Sequence, residues 1–386
     1  MTMRRAIHAG LLCALGLSAP GTAPGSDAAL LGAATCSSSG CHGGAGEKSD
    51  QFVIWTQRDA HSRSYATLTT SRAARMAEAL SIANPVTSPR CTICHAPLAG
   101  ASPSELGAGV DPAEGVSCVS CHAMPDGWLR GHTRADWTHA DRVAAGMRDL
   151  EDLYSRANTC VACHQNIDPE LVDVGRHPAL IFELDGQTQD EPRHWSEPAG
   201  SIGAQAWFVG QAVALREVSW ALLNGRADPS RSVPAWRGLG WLLSRAGLSY
   251  SLPSLDYSAA SPSALASAIQ ASDLLAKRAA RDWESQNAGV LLRRLAATQA
   301  DFLAPGADRL TQACRADRLV LALDRLLAAL PAGERPAGLS ERLDRLFRLA
   351  QSQPDFSPAD FARELDGFAQ SLGPGAAGGP ASVSGI

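Results

Sequence analysis

Apolar positions in the second half of the chain recur at helical spacing. Phe208, Ala212, Leu215 and Leu222 form one such set. Leu265, Ile269 and Ala276 form another behind Ser261-Pro262, a cap residue followed by a first-turn proline. Ala316, Leu319, Val320, Leu323, Leu327 and Leu330 make a stripe that stops at Pro331. Leu339, Leu343, Leu346, Phe347 and Ala350 make the next. Ser357-Pro-Ala-Asp360 is a capping signal ahead of Phe361, Leu365, Phe368 and Leu372, and Gly373 ends that run. Amphipathic helices joined by short connections bury their stripes against one another, so 196–372 is expected to be an all-α helical bundle. The stretch 373–386 is rich in glycine and proline and is expected to be disordered.

The N-terminus reads differently. Met1 to Arg5 carries two arginines, 6–17 is apolar, and small residues follow. That is the pattern of a secretory signal peptide over 1–28, which implies export to the periplasm or another extracytoplasmic compartment. The most hydrophobic later stretch, 202–223, is interrupted by Arg216 and Glu217. No transmembrane segment is expected, and peripheral membrane association stays open.

The chain has 386 residues, a soft prior of two or three domains. Its formal net charge of -5 argues against nucleic-acid binding through a basic surface. Lys48 and Lys277 are the only lysines among 34 basic residues, which excludes a lysine-ringed docking face. Nine of the 10 cysteines and all 10 histidines precede residue 195.

Those residues carry the chemistry. Three segments match C-x-x-C-H: Cys91-Thr-Ile-Cys94-His95, Cys118-Val-Ser-Cys121-His122 and Cys160-Val-Ala-Cys163-His164. A fourth, Cys36-Ser-Ser-Ser-Gly-Cys41-His42, is two residues longer. Two thiols one short turn apart can add across the two vinyl groups of one haem, and the next residue then supplies a proximal imidazole to the iron. Zinc sites do not require the repeated histidine, and neither does the disulfide framework common in exported proteins. The stretched segment has an alternative reading, a Cys36–Cys41 disulfide beside a free histidine. The pattern therefore predicts four covalently attached haem c groups within 29–195, with His42, His95, His122 and His164 as proximal ligands. The second and third motifs start 27 residues apart, which suggests neighbouring haems. Cys13 leaves with the signal peptide, and Cys314 reads as a buried small apolar residue.

Removing His8 and the four proximal ligands leaves His61, His132, His139, His177 and His194. Four are needed if every iron takes two histidines, and three if one iron is open. His61, Tyr65 and Leu68 recur at i, i+4 and i+7, one face of a helix. His139 lies two helical turns beyond His132, so both could share a face. His177 is within loop reach of the His164 haem. For His194, a packing or propionate-contacting role competes evenly with ligation. Met76, Met124 and Met147 are not assigned as ligands.

The order of these motifs, together with His61 and Tyr65, Cys91-Thr-Ile-Cys-His-Ala-Pro97, Glu114-Gly-Val-Ser-Cys-Val-Ser-Cys-His122 and Gly175-Arg-His-Pro178, resembles the cytochrome c-552/c-554 family of exported tetrahaem electron carriers. The resemblance extends over Cys36 to Trp195. It implies that His61 caps the third haem, on His122, that His132 caps the first, on His42, and that His177 caps the fourth, on His164. The second haem, on His95, would be five-coordinate, with His139 and His194 spare. The stretched first motif and the long C-terminal half depart from the family.

The expected fold class is mainly α: a multihaem cytochrome c domain with little regular structure beyond short helices, then the bundle. The leading function is electron transfer between redox protein partners through closely spaced haems. The alternative is a reductase or oxidoreductase of small nitrogen compounds at one five-coordinate haem. No catalytic residue is assigned; Tyr65, Arg63 and His139 are unplaced candidates. In a third reading the helical half docks the chain to a partner complex.

Overall fold

The computed structural model describes residues 29–373 except 48, 198–202, 247–258, 284–287, 332, 334, 337 and 353–354. The expected signal peptide over 1–28 lies outside the described residues, as does the expected disordered tail beyond Gly373. The fold is mainly α; among the described residues the β pairing is one isolated bridge between Leu30 and Leu106.

The first half carries short helices: α1 (Gln51–Arg58), α2 (Ser64–Thr67), α3 (Ser71–Ala79), α4 (Pro89–His95), α5 (Cys118–His122), α6 (His139–Ala144), α7 (Leu153–His164), α8 (Pro169–Asp173) and α9 (Leu184–Asp190). Local caps set where several begin. The Thr70 hydroxyl accepts from Ala73 N, Thr138 and Asp141 form a reciprocal capping box, and the Asp152 carboxylate accepts from Tyr154 N and Ser155 N. The second half carries α10 (Gly203–Leu223), α11 (Pro229–Ala246), α12 (Pro262–Arg281), α13 (Ala288–Ala296), α14 (Gln299–Leu303), α15 (Arg309–Ala328), α16 (Leu339–Ala350) and α17 (Pro358–Ser371). The Ser261 and Ser357 caps accept from Ala264 N and Asp360 N, as the sequence signals imply.

Helix α10 is buried around most of its circumference, which is the signature of a central helix and not of a surface one. Helices α11 and α12 pack against it, α15 packs on α11, and α16 and α17 close the far side. The periodicity did not reveal α11, because Pro234, Gly238 and Gly240 punctuate it. The structure gives two reasons for tolerating them. Trp236 is fully buried and donates through Nε1 to Ser219 Oγ at 3.0 Å. Gly238 meets α15 so closely that a Cβ would lie 3.2 Å from the Cys314 carbonyl.

The apolar core runs across the boundary expected near residue 195. It begins with Leu153, Ala157 and Val161 on α7, continues through Phe182 and Leu184, and extends to Phe368. Helices α7 and α9 both pack on α10. A polar seam reinforces the contact: Gln165 Nε2 donates to Ala214 O at 2.7 Å and Asn166 Nδ2 to Glu217 O at 3.1 Å. Burying a Val or Leu side chain contributes about 1.5–3 kcal/mol, so Leu153 and Val161 alone tie the fourth C-x-x-C-H firmly to the bundle. Residues before Leu153 do not contribute to this core.

Candidate haem sites

The extra residues of the first motif fold into a turn. Cys41 N and Gly43 N both donate to Ser38 O, at 2.9 and 3.0 Å, and His42 N reaches back to Cys36 O at 3.2 Å. A Cβ on Gly43 would collide with the Ser37 carbonyl oxygen, so the turn requires glycine there. The longer loop thus still brings Cys36 back to the Cys41–His42 junction. The other three motifs are helical: α4 and α7 end at His95 and His164, and α5 is the motif itself. One helical turn sets the two cysteines at i and i+3 on one face. No disulfide joins Cys36 to Cys41.

Each C-x-x-C-H histidine faces one other histidine. Ring centres are 6.1 Å apart for His42 and His132, 6.4 Å for His95 and His177, 6.5 Å for His122 and His194, and 6.0 Å for His164 and His61. A ligating nitrogen lies about 2 Å from its metal with the ring centre about 1 Å behind it, so two imidazoles on opposite sides of one metal have centres about 6 Å apart. All four pairs fit a six-coordinate iron. Two further features fit haem. The large apolar core takes in no described residue before Leu153, where Leu68, Leu80, Leu98, Val119 and Trp128 are buried outside it. The apolar side chains of Ile93, within the second motif, and of Val174 and Ile181, flanking His177 in sequence, stand exposed.

These placements differ from the partners implied by the resemblance. His132 does lie against His42. His61, however, faces His164 and not His122; His177 faces His95 and not His164; and His194 faces His122 instead of being spare. His95 is therefore not left without a facing histidine. Ion pairs accompany the second change: Arg90 on α4 holds Asp168, the cap of α8, and Glu170 on it at 2.7 and 2.8 Å, beside the loop that reaches His95. His177 N then bonds Leu171 O at 2.8 Å. The 194–197 stretch is anchored by Glu197, which accepts from Arg156 of α7 and from Trp195 Nε1, both at 2.7 Å. His139 meets no C-x-x-C-H histidine; its ring lies 3.1 Å from Asp149 and 3.5 Å from Glu151.

The single helix expected through His61, Tyr65 and Leu68 is broken. His61 sits in a 3-10 turn, Ala60–Arg63, ahead of α2. Its carbonyl accepts from Val116 N at 3.0 Å and from Ser64 Oγ at 2.7 Å, which takes it out of the helical ladder. His132 and His139 likewise lie on separate elements, a 3-10 turn Gly131–Thr133 and the start of α6. Among the described residues, two of the three non-glycine residues with left-handed φ flank paired histidines: Ala123 follows His122 and Arg176 precedes His177. Such strain concentrates where a side chain must be aimed.

The second nitrogen of each ring fixes its tautomer. On the C-x-x-C-H side, His42 Nδ1 meets Gln51 Oε1 at 2.8 Å and His95 Nδ1 meets Thr67 Oγ1 at 3.0 Å. Gln187 lies 3.4 Å from His164 Nδ1 with its own Oε1 unpartnered; turned over, that oxygen accepts the Nδ1 proton. His122 Nδ1 is buried without a partner. On the opposite side, Nδ1 of His132, His177 and His194 faces a backbone carbonyl, whereas that of His61 faces the Asp59 carboxylate at 3.0 Å. Burial lowers the pKa of His95 and His164, and it takes His122 down to about 4, helped by the charges of His194, His42 and Arg148. These rings stay neutral at pH 7, as metal ligation requires. The Asp59 hydrogen bond raises His61 instead. Asp59, Gln51, Gln187 and Glu191 escaped the sequence reading; an Asp-x-His spacing was the one available hint.

Thiol neighbours order the motifs in space. Cys36 of the first lies beside Cys118 of the third, and Cys94 of the second lies beside Cys163 of the fourth. Cys121 of the third is near Cys160 and Cys163 of the fourth. The row runs one, three, four, two. The thiol neighbour of the second motif is the fourth, and not the third as the 27-residue separation suggested.

Among the described residues no helix is long and apolar enough to cross a membrane. Residues 35–123 match the family model described as cytochrome c554 and c-prime, which takes in the first three motifs and leaves the fourth and the bundle outside. Neither the curated proteins nor the solved structures gave a match. The match is to a c-type cytochrome family and supports a haem-based electron-transfer protein with covalently bound haem c and redox partners.

Proposed function

We propose that the chain is an exported tetrahaem c-type cytochrome that transfers electrons between redox protein partners, with each iron held between two histidines. The observation that carries this reading is the set of four ring pairs spaced at 6.0–6.5 Å, one for every C-x-x-C-H. Cys36 and Cys41, Cys91 and Cys94, Cys118 and Cys121, and Cys160 and Cys163 would supply the thioether links. His42 with His132, His95 with His177, His122 with His194 and His164 with His61 would supply the axial nitrogens. Haem bound this way supplies a one-electron ferric/ferrous couple.

The residues do the rest. Backbone and side-chain acceptors at Nδ1 hold every one of these rings but that of His122, and strain at Ala123 and Arg176 aims His122 and His177. The thiol row sets the His42–His132 and His95–His177 pairs at its two ends, where partners can approach. The haem-binding segment 29–195 and the bundle 196–372 act as one folded body, because α7 carries the fourth motif on the core it shares with α10. The reductase reading loses ground, since it needs an iron without a second protein ligand and every proximal histidine has a facing ring.

Spin state is the test. The oxidised protein is expected to show four low-spin irons, and the reduced protein should not bind carbon monoxide. A high-spin component that binds carbon monoxide would return the enzyme reading.

A further inference from the structure

We propose that Asp59 is a positioning residue that, acting through His61, gives the His61–His164 pair the lowest reduction potential of the four. The inference deepens the function proposed above and rests on it.

The four opposing histidines differ in what their Nδ1 meets. His132 lies 2.5 Å from Leu129 O, His177 lies 2.8 Å from Pro178 O and His194 lies 3.3 Å from Pro192 O, all neutral acceptors. His61 alone among them meets a carboxylate, Asp59 Oδ1, at 3.0 Å. The same oxygen accepts His61 N at 2.8 Å, so ring and backbone are gripped together. Asp59 is only 3% exposed, and water does little to screen it. Glu191 adds a second carboxylate: the ligand atoms of Asp59, His61 and Glu191 lie within 4.8 Å of one another. The nearby Arg156 is already neutralised by Glu197 at 2.7 Å.

With Nδ1 engaged, Nε2 is the nitrogen left for the metal. A carboxylate accepting the Nδ1 proton raises the basicity of the ligating nitrogen. Reduction adds one electron, ferric to ferrous, and lowers the positive charge of the site by one; no proton moves and no bond breaks. Both the stronger donor and the buried negative charge favour the more positive, oxidised state. The adjacent third pair has the opposite surroundings, with His122 Nδ1 unpartnered and the Arg148 guanidinium on the Cys121 carbonyl at 3.0 Å.

The test is a redox titration of the full-length matured protein followed by visible spectra. His61→Ala identifies the component in question by turning it high-spin. Asp59→Asn keeps an acceptor beside Nδ1 and removes the charge. It should raise the midpoint of that lowest component about tenfold in equilibrium constant, or about 59 mV for one electron, and leave the other three in place. Glu191→Gln should move the same midpoint the same way by less, and it decides alone if Asp59→Asn does not mature. An unmoved lowest midpoint in a low-spin tetrahaem variant overturns the proposal, as does a shift in a component that His61→Ala leaves untouched. Failure of the underlying function shows separately, as a wild-type mass short of four haems before any titration.

Discussion

Gly210 on α10 is where the bundle presses on the haem-bearing half. A Cβ there would lie 2.8 Å from Leu184 Cβ and 3.1 Å from Leu184 N, at the start of α9. In an open helix, Gly→Ala stabilises by about 1 kcal/mol. Here the neighbour is a fully buried side chain and its backbone, and neither can swing aside. Overpacking a filled core costs about 1–3 kcal/mol, so Gly210→Ala is expected to lose a net ~0–2 kcal/mol. Gly289 on α13 is the control. Its added Cβ would meet Leu330 Cδ2 at 3.5 Å, an ordinary contact, and Gly289→Ala should be neutral or stabilising by up to about 1 kcal/mol. Urea unfolding of the haem-loaded protein, with the slope unchanged, reads both values. Because α9 brings Gln187 to His164 and leads to Glu191 beside His61, Gly210→Ala should also disturb the spectrum of that pair. If Gly210→Ala proves as stabilising as Gly289→Ala, the packing of α9 on α10 described above is wrong.

Three further predictions follow from single residues. His194→Ala should turn one iron high-spin, whereas His139→Ala, which removes only the contacts to Asp149 and Glu151, should leave the spectrum unchanged; the reverse result would exchange their roles. Burial lifts the Glu183 carboxyl to about 7 from an ordinary 4.5 despite its bonds to Gly186 N and Asp185 N, so the folded chain keeps a proton that the unfolded chain has released. Its effect on stability is therefore absent below pH 4.5 and grows as a loss while pH rises to 7, reaching about 3 kcal/mol. Glu183→Gln should flatten the stability profile over that window, and an unchanged slope would contradict the assignment. Trp236→Phe removes the indole donor to the buried Ser219 hydroxyl, which keeps its own bond to Leu215 O at 2.6 Å, and should cost about 0.5–1.5 kcal/mol in urea unfolding; a neutral result would mean that the Trp236–Ser219 bond contributes nothing.

The sequence revealed what is local. A C-x-x-C-H needs only one helical turn, and the stripes ending at Leu330 and Leu372 need only their own helices, so both could be read directly. Caps at Ser261 and Ser357 were legible for the same reason. Partner choice among histidines was not, because it depends on contacts far apart in the chain. Arg90 with Asp168 and Glu170 decides where His177 goes, Glu197 with Arg156 decides where His194 goes, and Val116 takes the carbonyl of His61. No local period encodes such pairings. Helix α11 hid behind Pro234 and two glycines whose meaning appears only once α15 is packed beside them. The core that α7 shares with the bundle was hidden too: Val161 lies inside a C-x-x-C-H motif and at the same time in the bundle core.

The measurement that bears most directly on the whole account is the intact mass of the chain matured with a working cytochrome-assembly system. The account predicts the processed polypeptide plus four haems, lost one at a time when Cys36, Cys91, Cys118 or Cys160 is replaced together with its partner cysteine. A mass equal to the bare polypeptide would contradict it.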